Sequence, residues 1–348
     1  MATTQLADVI QPEVFNDYIT QNTMVQSLVY QSGLLTVDGM LSQKLGGGGN
    51  TFNAPAWGDL ADNDPTISSD DPSDLLTLDK VTAYKETARR ISVNKGWSAM
   101  MFASELAGDD AMKRIGDRVA AYWGRAWNRY TVNTLLGVFS NNVASNSSDM
   151  FHDAGAATFS GTVCLDAAQK LGDAAEKLQI LVVHSKVHNR MQKAGLLTNA
   201  FTPESKISGQ KITRYMDKYA VVVDDSMPNG NAKTPANPGG GASVNGTALA
   251  ANEFVSFLAA PGVVAMGETA HKKPVFLDEN GLAGNGSGEE QLVTRKIVTF
   301  HPRGHRFLDA SVAGDSPTLA EINNAANWSR VYPEQKQMGV VAIQTTEA

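Results

Sequence analysis

The sequence predicts an α+β protein organised around one long helix. Three observations carry that expectation. Apolar residues recur at helical spacing through Ile115, Val119, Tyr122, Ala126 and Tyr130, two β-forming runs flank a long polar loop, and beyond about residue 160 strands and helices alternate. With 348 residues, 42% of them hydrophobic and 19% charged, the chain suffices for two domains or one elaborate one, and core size is not limiting.

In chain order, residues 1–45 open with a helix signal. Pro12 suits a first helical turn and Glu13 the positive end of the dipole; apolar pairs follow at 14/15, 18/19, 24/25 and 28/29, and Gly33 is placed to end the helix. Four glycines at 46–49 supply a flexible hinge, because they lack the Lys-Ser/Thr ending of a phosphate loop. Residues 51–57 read as a strand, 58–79 as a long loop with Pro65 and Pro72, and 80–93 as a second strand pairing with the first across that loop. A two-stranded arm is marginally stable alone in water, so this one calls for support from a neighbouring subunit.

The long helix is expected over about 110–139, with Trp123 and Trp127 beside its apolar face, and 140–161 as an Asn/Ser/Ala/Gly-rich linker. Beyond it, 165–178 is expected to be helical, 179–183 a buried strand, 186–194 a helix ended by Gly195, 219–223 a second buried strand, and 229–246 a Gly/Pro/Asn-rich loop. Further strands are expected over 254–266 and 292–300. Ser316, Pro317 and Glu321 are arranged like a helix start, leading to a short helix as far as Trp328 and a last strand at 338–343.

Little in the chain points to catalysis. His184 ends a strand while His188 lies in the next helix, and Ser185 stands where the metalloprotease pattern needs glutamate. His301 and His305 bracket Pro302 and Gly304 and read as polar turn histidines. Asp224 and Asp225, adjacent at a strand end, point to opposite sides rather than converging as an acid/base pair, and read as an exposed terminus. There is no Gly-x-Ser-x-Gly elbow, and the single cysteine, Cys164, excludes an internal disulfide and a four-cysteine zinc site. No enzyme activity, metal or cofactor is expected. The most apolar stretch, 254–266, falls short of the roughly 20 residues of a membrane helix, and no basic residue precedes Lys44, so neither a membrane partner nor a secretory signal is expected.

Charge is unevenly distributed. The chain has 29 Lys and Arg against 36 Asp and Glu, a net charge of −7, and an acidic total argues against a protein whose main task is gripping DNA. Residues 46–79 hold Asp59, Asp62, Asp64, Asp70, Asp71, Asp74 and Asp79 and no basic residue, which accounts for the whole excess. Arg114, Arg118, Arg125 and Arg129 fall at about 0, 40, 20 and 60 degrees around a helix and share one narrow face. Such a stripe is either a solvated face or a contact for acidic groups of another chain, most simply the Asp-rich loop.

Several local phrases suggest a family: PEVFNDYI with QSGLL, ILVVHSKVHNRMQ, YAVVVDDSMP, and SPTLAEINNAANWSRVY followed by GVVAIQT. Together with the order of parts, they make the chain resemble a tailed-bacteriophage major capsid protein of the Hong Kong 97-type fold. The resemblance implies an N-terminal arm at 1–45, an extended β-hairpin loop at 46–97, a peripheral domain with the spine helix at 98–159 and 286–315, and an axial domain at 160–285 and 316–348.

Further implications are hexamers and pentamers of one protein in an icosahedral shell around double-stranded DNA, each extended loop lying over an adjacent subunit. The shell would be a virion capsid assembled in the host bacterial cytoplasm. The resemblance also implies a portal and leaves room for a decoration protein. A separate scaffolding protein is expected, because the residues before the loop are too few for the cleaved scaffolding segment of some relatives. No local motif marks Lys80 or Lys85 as a cross-linking lysine. An encapsulin-like compartment shell with protein cargo, and a cytoplasmic hydrolase with an unrecognised site, are the competing readings.

Overall fold

In the computed structural model, residues 32–58, 60, 63–102, 111–195, 197–199, 213–234 and 237–347 are described. The helix expected from Pro12 lies outside them. Where that helix was expected to end, Gly33 takes a positive φ of 78°, and strand β1 (Leu35–Val37) and helix α1 (Gly39–Gly46) follow. Asp38 caps α1 by accepting from the amides of Met40 and Leu41.

Strands β2 (Thr51–Trp57) and β3 (Ala83–Arg89) form an antiparallel hairpin, with Thr51 opposite Arg89 and Trp57 opposite Ala83. The second strand is shorter than the run of β-formers suggested. At Arg90 the chain changes partners, and β4 (Ile91–Met100) pairs instead with β15 (Glu289–Pro302). The long two-stranded arm is therefore seven residues per strand, about 23 Å at 3.3 Å per residue.

The spine helix α2 (Ala111–Ser145) runs six residues beyond the expected end. The extra turns contain poor helix formers, which tertiary bonds hold in place. Asn142 Nδ2 donates to Asp149, Asn142 Oδ1 accepts from the Met150 amide, and Asn141 donates to the Ala325 carbonyl. On the apolar face Trp123 and Trp127 are buried, and the Trp123 indole donates to Thr294 on β15 at 3.2 Å. Gly137 is required where the C-terminal segment crosses, since a Cβ there would come within 2.2 Å of the Ile322 carbonyl.

After β5 (Phe151–Asp153) come α3 (Gly161–Gln169), a 3-10 turn (Gly172–Lys177), β6 (Ile180–Val183), α4 (Ser185–Lys193), β7 (Leu197–Asn199), β8 (Thr213–Tyr215) and β9 (Tyr219–Val223). The expected helix at 165–178 is thus broken at Gly172, which has a positive φ of 55°. A small hairpin, β10 (Ser243–Val244) and β11 (Thr247–Ala248), leads to β12 (Glu253–Ala259), β13 (Val264–Thr269) and β14 (Val275–Asn280). The single strand expected over 254–266 is therefore two, separated at Pro261 and at Gly262, whose φ is 72°.

Those two strands enter different sheets. One sheet has the order β1-β13-β15-β14, with β4 on the other edge of β15. The second is closed by β18 (Val340–Thr346) and has the order β5-β18-β12-β6-β9-β8-β7. Residues 264–269 and 275–280 pair with β15.

The second sheet is buried on both faces, which explains its unbroken apolar runs. Val255, Phe257, Val182 and Ala342 face the core beneath the spine helix, where Phe139 stacks on Phe257. Their neighbours Phe254, Leu258, Leu181 and Ile343 face a second core against α3 and α4. Cys164 is buried in that second core, and burial pushes its thiol pKa up to about 12, so it packs as a small apolar residue.

The last segment begins later than Ser316-Pro317 suggested. Thr318 and Glu321 form a capping box on the one-turn helix α5 (Leu319–Ile322). Trp328 is already in β17 (Trp328–Arg330), which pairs with β16 (His305–Phe307).

Candidate functional site

The extended hairpin has a fixed base. Gly48 and Gly49, at φ of 86° and 88°, turn the chain from α1 into β2, and Lys44 reaches across to the Asn53 carbonyl at 2.9 Å. On β3, Glu86 accepts from His301 Nε2 at 2.8 Å and from the Gly304 amide at 3.0 Å, while Tyr84 meets Tyr332 edge-on. Three residues on, the buried guanidinium of Arg89 pairs with Asp309 at 3.4 Å and donates to the Asp315 carbonyl at 3.0 Å.

This base corrects the reading of His301 and His305 as polar turn residues. Both are buried, because β15 and β16 carry them inward on either side of the Pro302–Gly304 turn. Burial works to raise the Glu86 carboxyl, but hydrogen bonds from His301, Tyr332 and the Gly304 amide together hold it below the ordinary glutamate value. Burial depresses His305 to about 4, so it is neutral and its Nδ1 donates to the Arg303 carbonyl at 3.0 Å.

Among the described residues, no hydrogen bond or ion pair ties 63–79 to the body of the chain. Asp64, Asp70, Asp71, Asp74 and Asp79 are all exposed; Asp59 and Asp62 lie outside the described residues. Within the loop, Asn63 donates to Asp79 at 3.2 Å, and hydrogen bonds from Ser73 hold the Asp71 carboxyl below its usual value. Large apolar side chains are as open as the acids: Ile67 is 91% exposed, Leu75 88%, Leu78 84% and Trp57 78%. A run of this kind on a folded chain marks a contact surface.

The basic stripe is only partly uniform. Arg118 and Arg125 are exposed on α2, Arg129 is half-buried, and the side chain of Arg114 lies outside the described residues. Among the described residues no ion pair joins the stripe to the acidic loop of the same chain.

The remaining polar candidates have structural partners. His184 Nδ1 caps α4 by accepting from the Lys186 amide, and burial lowers its pKa. Asp224, expected at an exposed terminus, instead binds the Ser226 amide and hydroxyl and the Asn128 amide group on the spine helix. Sequence reasoning missed the Glu86–His301 pair, whose members are 215 positions apart, and did not single out Arg89. Among the described residues no group of three or more His, Cys, Asp or Glu side chains is arranged to hold a metal ion.

A body of two main sheets and one long helix, with a loop whose described leucines and aspartates are exposed, is suited to a subunit of a multi-chain assembly. The chain is 34% identical over 338 residues, 97% of its length and 96% of the relative's, to the major capsid protein of Bacillus phage SPP1. It belongs to the family of tailed-phage major capsid proteins and is a structural, non-catalytic component of the virion capsid shell.

The fold agrees with solved capsids despite low identity. The capsid of Ralstonia phage GP4 aligns with a TM-score of 0.53 at 10% identity over 100% of this chain and 95% of that one. The cyanophage Pam1 capsid aligns at 0.53 and 11% identity over 100% and 96%. The chain thus has an α+β capsid fold of the Hong Kong 97 type, and with the SPP1 relative this favours a phage capsid over the encapsulin-like and hydrolase readings. No family model matches the sequence.

Proposed function

We propose that copies of this chain assemble as hexamers and pentamers into an icosahedral shell enclosing double-stranded DNA. In this reading the seven-stranded sheet with α3 and α4 is the axial part near capsomer centres. The five-stranded sheet with the spine helix is the peripheral part, which moves 264–280 to the peripheral side of the expected division. Each extended loop lies over a neighbouring copy, with its aspartates facing Arg118 and Arg125. A separate scaffolding protein and a portal take part in assembly in the host bacterial cytoplasm, and the outer surface is open to a decoration protein.

The observation that carries the reading is the loop itself, where exposed leucines and five described aspartates share a stretch of chain with no basic residue. Apolar burial supplies affinity, and charge pairing supplies register and on-rate. Changing Arg118 and Arg125 together to Glu should raise the concentration needed for assembly about tenfold at low salt, about 1.4 kcal/mol, with the difference shrinking as salt is added. Sedimentation velocity and negative-stain microscopy measure this. Unchanged assembly at every ionic strength would count against the pairing.

A further inference from the structure

A cleft of about 320 Å³ opens between the spine helix, the 226–243 loop and α5. It is lined by the apolar side chains of Val132, Leu136, Pro228 and Leu319 and by the cationic Arg129 and Lys233. Among the described residues no carboxylate lines it. Two buried polar atoms at this site, Arg129 Nε and Asn323 Oδ1, have no hydrogen-bond partner among the described residues. Each can take a hydrogen bond from a group that enters the cleft, Arg129 Nε as donor and Asn323 Oδ1 as acceptor.

The backbone around the cleft is closely set. A Cβ at Gly239 would come within 2.1 Å of the Met227 carbonyl, and one at Gly240 within 2.6 Å of the Asn231 carbonyl. Asn229 and Asn237 also exchange side-chain hydrogen bonds across the loop. The wall that carries Lys233 is therefore a preformed surface.

We propose that this cleft receives residues 63–79 of a second copy of the chain, taking a leucine against its apolar side chains and an adjacent aspartate against Arg129 and Lys233. The complement is specific in kind. In that segment Asp74 precedes Leu75, and Leu78 precedes Asp79; both leucines are more than four-fifths exposed, at 88% and 84%, and no lysine or arginine occurs to repel the cations. Among the described residues no hydrogen bond or ion pair joins the segment to the cleft of its own chain. The assignment rests on the reading that the loop lies over a neighbour. It adds the receptor site and makes Arg129, half-buried and off the exposed part of the stripe, a specificity-determining contact.

The test uses the wild-type chain. Shells assembled from an equal mixture of ordinary and isotopically heavy chains are treated with a zero-length carbodiimide, which activates a carboxylate as an O-acylisourea that a touching lysine amine displaces to form an amide, the carbodiimide leaving as a urea, and then digested for mass spectrometry. The expected product joins Lys233 to Asp64, Asp70, Asp71, Asp74 or Asp79 in peptides that pair light with heavy chain. Shells in which loop aspartates are joined to other lysines of a second copy, while Lys233 is joined elsewhere or not at all, overturn the cleft assignment and leave the loop-over-neighbour reading standing. Shells whose loop carboxylates join no second copy overturn both. A chain that stays monomeric even with a scaffolding partner also overturns both.

Discussion

At its base the extended hairpin buries Ala88 and Arg89 and ties Glu86 to His301 and Gly304; some 20 Å away, Ile67, Leu75 and Leu78 stand almost wholly in solvent. Both ends lie within one stretch of some 40 residues, and the polar groups at each are of ordinary kinds. They differ in where the complementary atoms come from. The base finds carboxylate, imidazole and amide partners within its own chain, from β15, β16 and the 309–315 segment, so its geometry is settled before any assembly. The tip presents its leucines to solvent, and among the described residues its aspartates bond within the loop, Asp79 to Asn63 and Asp71 to Ser73; in the proposed assembly a second copy supplies the remaining contacts.

The contrast breaks most sharply at Glu86. Glu86→Ala leaves His301 Nε2 and the Gly304 amide buried without an acceptor, and should lower the stability of the unassembled chain by about 3 kcal/mol, read from its urea midpoint. An unchanged midpoint would show that the base, too, is held only by assembly.

Acid sharpens the same comparison. His305 is depressed to about 4 in the folded chain, so the unfolded chain binds the extra proton first as pH falls below 6.5, and stability drops between pH 6.5 and about 4. The full window is worth about 3 kcal/mol. Glu86 adds in the same direction lower down: its folded value is depressed, so its contribution is present above the ordinary carboxylate range and lost as pH falls through the folded value. His301, Tyr332, Arg303 and Arg330 surround the pair, and Tyr332 is itself pushed up to about 12 by burial and by its hydrogen bond to Glu86. Thermal unfolding of the unassembled chain across this pH range, compared with that of His305→Gln, isolates the upper part of the window.

The smallest effect on the chain is expected at the tip. Leu75→Asp with Leu78→Asp should shift unfolding by no more than about 0.5 kcal/mol, because neither side chain is buried, while closed shells fall away in negative-stain images. Base and tip variants would thus separate stability from assembly.

Legibility in the sequence followed the range of the forces involved. The spine helix, the strands of the doubly buried sheet and the existence of the hairpin all follow from side-chain periodicity and composition, which a local window contains. The departure of β4 from the hairpin was illegible, because what selects its partner is β15, some 200 positions away, and not its own β-formers. The division of 254–266 between two sheets was hidden in an unbroken apolar run, where only Pro261 and Gly262 hinted at a corner. Of the candidate site, the acidic loop and the exposed Arg118 and Arg125 were legible as charge patterns, whereas the half-burial of Arg129 and the cleft around it were not.

By itself, then, the sequence determined the spine helix, the main buried strands and the acidic character of the loop, because periodicity and composition are properties of neighbouring residues. Only the tertiary structure decided which histidines are buried, where β4 docks and which arginine lines a cleft. Each of those depends on desolvation and hydrogen-bond partners supplied by residues far away along the chain.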